Sequence, residues 1–432
     1  MLGPRGAEIH AEMTSSGDRE LSRRRAGEMA PARVLLVAPS FPPATGGLER
    51  LLAGVCDELV RSGVELTVLA QQTVDAREWD RGRPWRTRRT PRLATPLGLL
   101  RAACVVAQEG RRGLDCLLVG HWCRVGALLA AVGRVLAQTP FAVIIHGLDI
   151  GSTRRRFGVQ ALRRWSLRHA ALLIANSRCT RERLLAVAEA DRVIAIHPRI
   201  DPSRWLALAE RARPARQTWP LGPGPIVLQP GRLVPRKNHA AVIRAMRTVL
   251  AEVPDARYVI AGDGPERERL EALAWQLGLL GRSVFFLGEV SDLEMAGLYR
   301  DCAVCVMPSR ERGEAGDVEG FGIVFLEAGL FGKPVIGGKS GGIPDAIVDG
   351  QTGFLVPPDD EEALAERVVQ LLANESLARR LGQAGRRRVE AGFCWGQGRN
   401  AYADAIREVI LTRRGRSRHV SEPDEQPSPA TS

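Results

Sequence analysis

Two glutamates, Glu319 and Glu327, stand in the stretch DVEGFGIVFLEA with seven residues between them. Carboxylates are rarely buried without a partner, so each must face a cation, a hydrogen-bond donor or a ligand. Helical periodicity begins near Gly322 and stops at Gly332, before Lys333 and Pro334, and the preceding SRERGEAGDVEG reads as a loop. Glu319 is therefore expected on a loop and Glu327 inside a helix, so they cannot pair on one helix face. The N–H groups from Gly322 through Ile323 to Val324 would open an anion site between them. The competing account is that Glu327 neutralises a buried arginine.

Three other polar sets follow apolar runs. In GRLVPRKNH, Arg232 and Lys237 lie five apart. Arginine offers a planar fork and lysine a point charge, a pairing suited to a diphosphate; a solvated basic turn would look the same. In IIHGLD, His146 ends an apolar run with Asp149 three residues on, either as a reacting group or as a core residue or helix cap. In PSFPPATGGLERL, Gly46 and Gly47 allow close backbone approach ahead of a helix, although Gly-Gly there also serves as a plain turn. It is not a GxGxxG fingerprint, which disfavours NAD or FAD.

The elements that must carry these groups are apolar runs alternating with helix-length segments. The runs are 33–38, 64–70, 115–120, 141–147, 170–177 and 192–198, then 225–231, 256–264, 283–288, 302–309, 333–338 and 353–358. Between the two sets, LAERARPARQTWPLGPGP breaks the pattern near 207–225 and reads as a linker. Buried strands alternating with helices imply parallel sheets covered on both faces. The expected architecture is α/β, with two doubly wound, Rossmann-like domains facing a cleft. Ligands of such sheets bind beyond the carboxyl ends of the strands, where all four polar sets lie.

At 432 residues and 45% hydrophobic composition, the chain suits two cores rather than one. No apolar run reaches the roughly 18 residues of a membrane span. Residues 1–30 lack an apolar signal core and read as a disordered leader, with Met29 an alternative start. The eight cysteines are scattered, which suits a reducing cytosol rather than a secreted framework. Cys302 and Cys305 form a lone CxxC, read as small apolar residues of a buried strand; redox or zinc chemistry would need a second pair. The formal charge of +12 comes from arginine clusters at 81–92, 154–168, 386–388 and 413–418. Such charge suits phosphate substrates or anionic lipid, or a general arginine bias. Nucleic acid is disfavoured by the 5% aromatic content and the lack of a recognition motif.

Taken in order, GGLE, HGLD, GRLVPRK, GDGP, EGFGIVFLEA and GKPVIGGKSGGIPD carry a further signal. From about residue 33 to 411 the chain resembles the retaining, GT-B fold, nucleotide-sugar glycosyltransferases of family 4. The resemblance implies that Arg232 and Lys237 grip the donor diphosphate, with Gly47 and the N–H groups of Ile323 and Val324. It implies that Glu327 binds the ribose, that Glu319 holds the donor sugar, and that His146 lies near the reacting carbon. Gly262 and Val290 would border the nucleotide. Cations at the leaving diphosphate and acceptors at the oxocarbenium-like sugar would lower the barrier. No D-x-D triplet is present, so no metal is expected.

The implied organisation is an N-terminal acceptor domain at 31–215, a donor domain at 222–395, a helix at 396–411 crossing back, and a disordered tail at 412–432. HPRID, with Pro198 and Arg199, departs from the Asn-Gly often found there and clouds the acceptor side. The long SRERGEAGDVEG loop resembles the subgroup that includes phosphatidylinositol mannosyltransferases. The expected reaction moves a hexose, mannose or glucose, from a GDP- or UDP-sugar to a lipid-linked or polysaccharide acceptor. Alternatives are another GT-B enzyme, an epimerase or phosphorylase, or a basic nucleic-acid-binding protein. A helix over 154–168, with its arginines and Phe157, Leu162 and Trp165, would rest on anionic lipid or else be an ordinary packed helix. The expected location is the cytoplasm, with peripheral contact at the inner face of the plasma membrane.

Overall fold

The computed structural model describes residues 31–44, 46–147, 157–312, 317–413 and 415. The expected leader 1–30, Asp149, residues 154–156, and residues 414 and 416–432 of the expected tail lie outside these.

One sheet has seven parallel strands: β1 (Arg33–Ala38), β2 (Glu65–Gln71), β3 (Arg86–Thr90), β4 (Cys116–Val119), β5 (Phe141–Ile145), β6 (Leu172–Ala175) and β7 (Val193–Ala195). Their order is β3-β2-β1-β4-β5-β6-β7. The second has six: β8 (Ile226–Pro230), β9 (Arg257–Ala261), β10 (Val284–Gly288), β11 (Val304–Met307), β12 (Val335–Gly338) and β13 (Phe354–Val356). They are ordered β10-β9-β8-β11-β12-β13. Central strands such as β4, β5, β8 and β11 are buried at every residue, as helices on both faces require.

Strand β3, RTRRT, has no apolar run and no counterpart among the sequence expectations. It is an edge strand, paired to β2 only, and its arginines guard the open edge. Arg89 anchors it, reaching Asp80 at 2.7 Å and the Pro42 carbonyl at 2.6 Å.

The segment near 207–225, expected as a linker, begins with the end of one helix. Asp201 caps the Pro202–Arg211 helix by accepting the Arg204 N–H at 3.1 Å, with Pro202 in the first turn. A single turn, Ala215–Thr218, follows. Trp205, Ala209, Ala215 and Leu221 are buried in the core beneath β8 and β11.

The Ala401–Arg413 helix returns to the first domain, continuing past the expected 411. Tyr402, Ile406 and Ile410 share its core with Leu52, Val55 and Leu59 of the Gly47–Arg61 helix. Glu58, 1% exposed, accepts the N–H groups of Tyr402 and Ala403 at 2.7 and 3.1 Å, so a carboxylate caps the returning helix. Among the described residues no helix is long and apolar enough to cross a membrane.

Candidate active site

Strand order reverses between β1 and β4 and again between β8 and β11. Crevices beyond the carboxyl ends at such reversals are where α/β sheets take ligands. The loops after β1, β8 and β11 carry Gly47, then Arg232 and Lys237, then Glu319. The two sheets present these loops to each other. A Cβ on Gly47 would stand 3.6 Å from Ile323 Cδ1, so the first turns of the Gly47–Arg61 and Ile323–Leu330 helices meet across the cleft. Each turn offers N–H groups that precede its helix's own hydrogen bonds. Gly322, just ahead of Ile323, has φ +91°, and a Cβ there would stand 2.7 Å from the Phe325 ring, so only glycine fits. A Cβ at Gly320 would collide with the His146 carbonyl oxygen, which sets the Glu319 loop directly against the first domain.

Lys237 ends a short turn, Pro235–Lys237, and is 8% exposed. Its Nζ lies 2.7 Å from Glu319 Oε2 and 3.0 Å from Met307 Sδ. Arg236 stands 3.7 Å from the same carboxylate oxygen. Burial opposes the Glu319 charge, but Lys237 and then Arg236 outweigh it and hold the carboxyl below its usual range. Arg232 is exposed, and its side chain has no hydrogen-bond or ion-pair partner among the described residues. The loops after β8 and β9 touch, since Gly231 N–H donates to the Ala261 carbonyl at 2.9 Å. Gly262 has φ +150°, and a Cβ there would strike the Gly231 carbonyl oxygen. Val290 is half-buried against the second domain's core, on the turn before the Asp292–Asp301 helix.

His146 Nε2 lies 2.9 Å from the Gly120 carbonyl oxygen. A carbonyl only accepts, so Nε2 carries the proton. Burial pushes the imidazole pKa down from 6.5, with Gly120 and Glu49 opposing only in part, so the ring is neutral at pH 7. It is oriented by backbone and is not a cation.

Glu327 is 1% exposed, and both its oxygens are engaged. Arg50 of the first domain reaches Oε1 at 3.0 Å, and the Tyr299 hydroxyl donates to Oε2 at 2.7 Å. The alternative reading, neutralisation of an arginine, therefore describes this packing. Neither Arg50, in GGLERL, nor Tyr299 carries a local sequence signal for this contact. An interdomain cleft of about 540 Å³ is lined by Gly47, Arg50, Trp205, Asp292, Ile323 and Glu327. It gathers the expected Gly47, Ile323 and Glu327; His146, Arg232, Lys237, Gly262, Val290, Glu319 and Val324 lie outside its walls.

A second joint was also invisible in sequence. Asp345 of the second domain, 5% exposed, accepts the Arg178 N–H at 2.6 Å and Nε–H at 2.7 Å, and stands 3.2 Å from His197 Nε2. Burial opposes its charge, but His197 and Arg178 hold its carboxyl below 3.8.

The expected lipid-facing helix is corrected in part. In Phe157–His169, Leu162 and Trp165 pack onto the first domain's core, with Trp165 stacked on Phe141 at 5.8 Å. Arg164 and Arg168 are exposed. Cys302 and Cys305 are buried, and burial pushes the Cys302 thiol up to about 12, as inert packing residues require.

Residues 45–204 match the profile described as Glycosyltransferase Family 4, and residues 214–388 that of Glycosyl transferases group 1. The chain is 34% identical to a GDP-mannose-dependent alpha-(1-6)-phosphatidylinositol monomannoside mannosyltransferase of Mycolicibacterium smegmatis, covering 82% of this chain and 92% of that one. It is 32% identical to the protein of the same name from Mycobacterium tuberculosis, covering 87% and 98%. Anabaena HepE, solved with UDP and glucose, superposes with TM-score 0.70 at 20% identity, over 89% of this chain and 100% of that one. A glycosyltransferase from Rickettsia africae superposes with TM-score 0.70 at 18% identity, over 90% and 100%. The two facing parallel-sheet domains are thus a GT-B fold, and the chain belongs to the family 4, group 1 glycosyltransferases, enzymes that transfer sugar from a nucleotide donor.

Proposed function

We propose that the protein is a retaining, metal-independent mannosyltransferase that uses GDP-mannose and acts on a phosphatidylinositol-based glycolipid. The observation that carries the reaction class is the meeting of two helix N-termini across the domain interface, at Gly47 and Ile323, with the Lys237–Glu319 pair on the loops after β8 and β11. The 34% identity to a mannosyltransferase across nearly its full length supports the sugar and the acceptor.

In this reading the bond between the sugar's C1 and the phosphate oxygen breaks, and its electron pair leaves with the diphosphate. Arg232, Lys237 and the N–H groups of Ile323 and Val324 meet that charge. Gly47 lets the first domain close against the phosphates. The acceptor hydroxyl bonds to C1 on the face that the phosphate leaves, and its proton passes to the departing phosphate oxygen. Glu319, tethered by Lys237, holds sugar hydroxyls on the opposite side of the lysine from the diphosphate. Neutral His146 packs near C1 without adding charge. Glu327 takes the ribose, and Gly262 and Val290 border the base. The fixed cations stand where a metal would otherwise serve, and the sequence lacks D-x-D.

Contact with an anionic membrane belongs to the same reading and places the enzyme at the cytoplasmic face. Arg163, Arg164, Arg168 and Arg192 rim a groove floored by Leu167 and Leu185. The Phe157–His169 helix leads into β6, so this groove lies at the amino edge of the sheet, away from the cleft. It would anchor the enzyme rather than deliver the acceptor.

The test is a donor panel with purified protein and phosphatidylinositol monomannoside, with and without EDTA. Transfer from GDP-mannose, insensitive to EDTA and giving an α-linked product, is expected. Activity with UDP-sugars alone, or loss of activity in EDTA, would overturn the donor or the metal assignment.

A further inference from the structure

Arg50 of the Gly47–Arg61 helix reaches into the second domain. Its Nη1 lies 2.9 Å from Asp292 and its Nη2 3.0 Å from Glu327, a fork that spans two carboxylates from two different helices. Its guanidinium also lies over the Trp205 ring, 5.4 Å from the centroid. Trp205 packs edge-on to Tyr299 at 5.7 Å, and Tyr299 donates to the remaining oxygen of Glu327. Arg50, Glu327, Tyr299 and Trp205 thus close a ring of contacts. Glu327 and Tyr299 belong to the second domain, Trp205 sits on the Pro202–Arg211 helix packed on that domain's core, and Arg50 comes from the first. Arg204 holds the other side of Asp292.

We propose that Arg50 is a positioning residue for the donor ribose, a clasp that orients Glu327 only when the two domains meet. This rests on the nucleotide-sugar reading above. A buried carboxylate needs a partner to stay charged, and one held from a single side can turn. Tyr299 fixes Oε2 whether the cleft is open or shut, whereas Oε1 is fixed only by a residue of the opposite domain. Each carboxylate oxygen accepts about two hydrogen bonds, so the Arg50 and Tyr299 bonds leave one direction on each for a pair of ribose hydroxyls. The cleft that Glu327 lines supplies the adjoining space. Ribose recognition is thereby conditional on closure. The planar fork matters as much as the charge, because a lysine at position 50 could reach one carboxylate but not both.

The test uses the full-length protein with GDP and 2′,3′-dideoxy-GDP as probes, followed by calorimetry, and small-angle scattering without nucleotide. The unsubstituted protein should favour GDP by about tenfold or more, as hydrogen bonds to a charged acceptor give. Arg50→Ala should reduce that ratio below about threefold while leaving pyrophosphate binding unchanged, and should enlarge the radius of gyration. Arg50→Lys keeps the charge and guards against misfolding; it should also lose most of the ratio. In steady state both variants should raise the donor KM more than they lower kcat. Full retention of the GDP preference in both variants would overturn the proposal. So would tighter GDP binding by Arg50→Ala, which would make Arg50 an obstacle to the ribose. Failure of the unsubstituted protein to bind GDP would instead overturn the donor reading, and the proposal with it.

Discussion

Replacing Lys237 with alanine separates two effects that the structure superimposes on one side chain. The side chains of Lys237 and Glu319 are 10% and 13% exposed and 2.7 Å apart. Breaking such a pair by removing one partner costs about 3–5 kcal/mol when the remaining charge is stranded. Glu319 is not wholly stranded, because Arg236 remains 3.7 Å away and some solvent reaches it. The expected loss of stability is therefore about 1–3 kcal/mol. Turnover should fall much further. Removing one fixed donor from a developing oxyanion costs about 10²–10³ in rate, and Arg232 cannot supply a second cation from the same position. The double variant Lys237→Ala/Glu319→Gln removes the stranded carboxylate as well. It should regain most of the stability and none of the turnover. Urea denaturation and initial-rate transfer assays on the single and double variants measure both quantities. If Lys237→Ala kept turnover within tenfold of the unsubstituted enzyme, or if the double variant recovered it, Lys237 would be a structural partner of Glu319 and nothing more.

Arg232→Ala removes an exposed side chain without a partner, so its melting temperature should stay within about 1 °C while turnover drops at least about tenfold; an unchanged rate would remove it from the diphosphate site. Asp345 has a folded pKa below its ordinary 3.8, because His197 and Arg178 outweigh burial. Its stabilisation is whole above that ordinary value and disappears as pH falls through the lower folded one. Denaturation midpoints measured from pH 5 to pH 3 should therefore drop, and Asp345→Asn should flatten that drop; an equally steep profile would deny Asp345 a role. The double variant Arg164→Glu/Arg168→Glu, at the basic groove, should sediment less with vesicles rich in phosphatidylglycerol while turning over a soluble acceptor normally. Equal sedimentation of both proteins would dismiss that surface.

The expected strands and the observed ones differ in an instructive way. A strand buried on both faces must be apolar at nearly every position, so twelve of the thirteen strands announce themselves as continuous runs. The exception, β3, is an edge strand that is exposed or half-buried at four of its five residues, so it tolerates arginines where the buried strands do not. The segment near 207–225 also carries a buried side that its composition hides. Its polar residues are mostly exposed, while Ala209, Ala215 and Leu221, spaced along it, are buried in the second domain's core. In the Phe157–His169 helix, composition alone could not tell an inward Trp165 from an outward one.

Sequence by itself determined the two-domain alternation, the helix start at Gly322, and the placing of glycines, cations and carboxylates in loops after apolar runs. Those are local properties, set by periodicity and by the conformations that glycine alone tolerates. The tertiary structure alone decided which charge meets which. Arg50 and Glu327 are 277 residues apart in the chain, and Arg178 and Asp345 are 167 apart. No local pattern encodes such pairs, because each exists only where strand order brings two loops to the same crevice and two separately folded sheets turn those crevices toward each other.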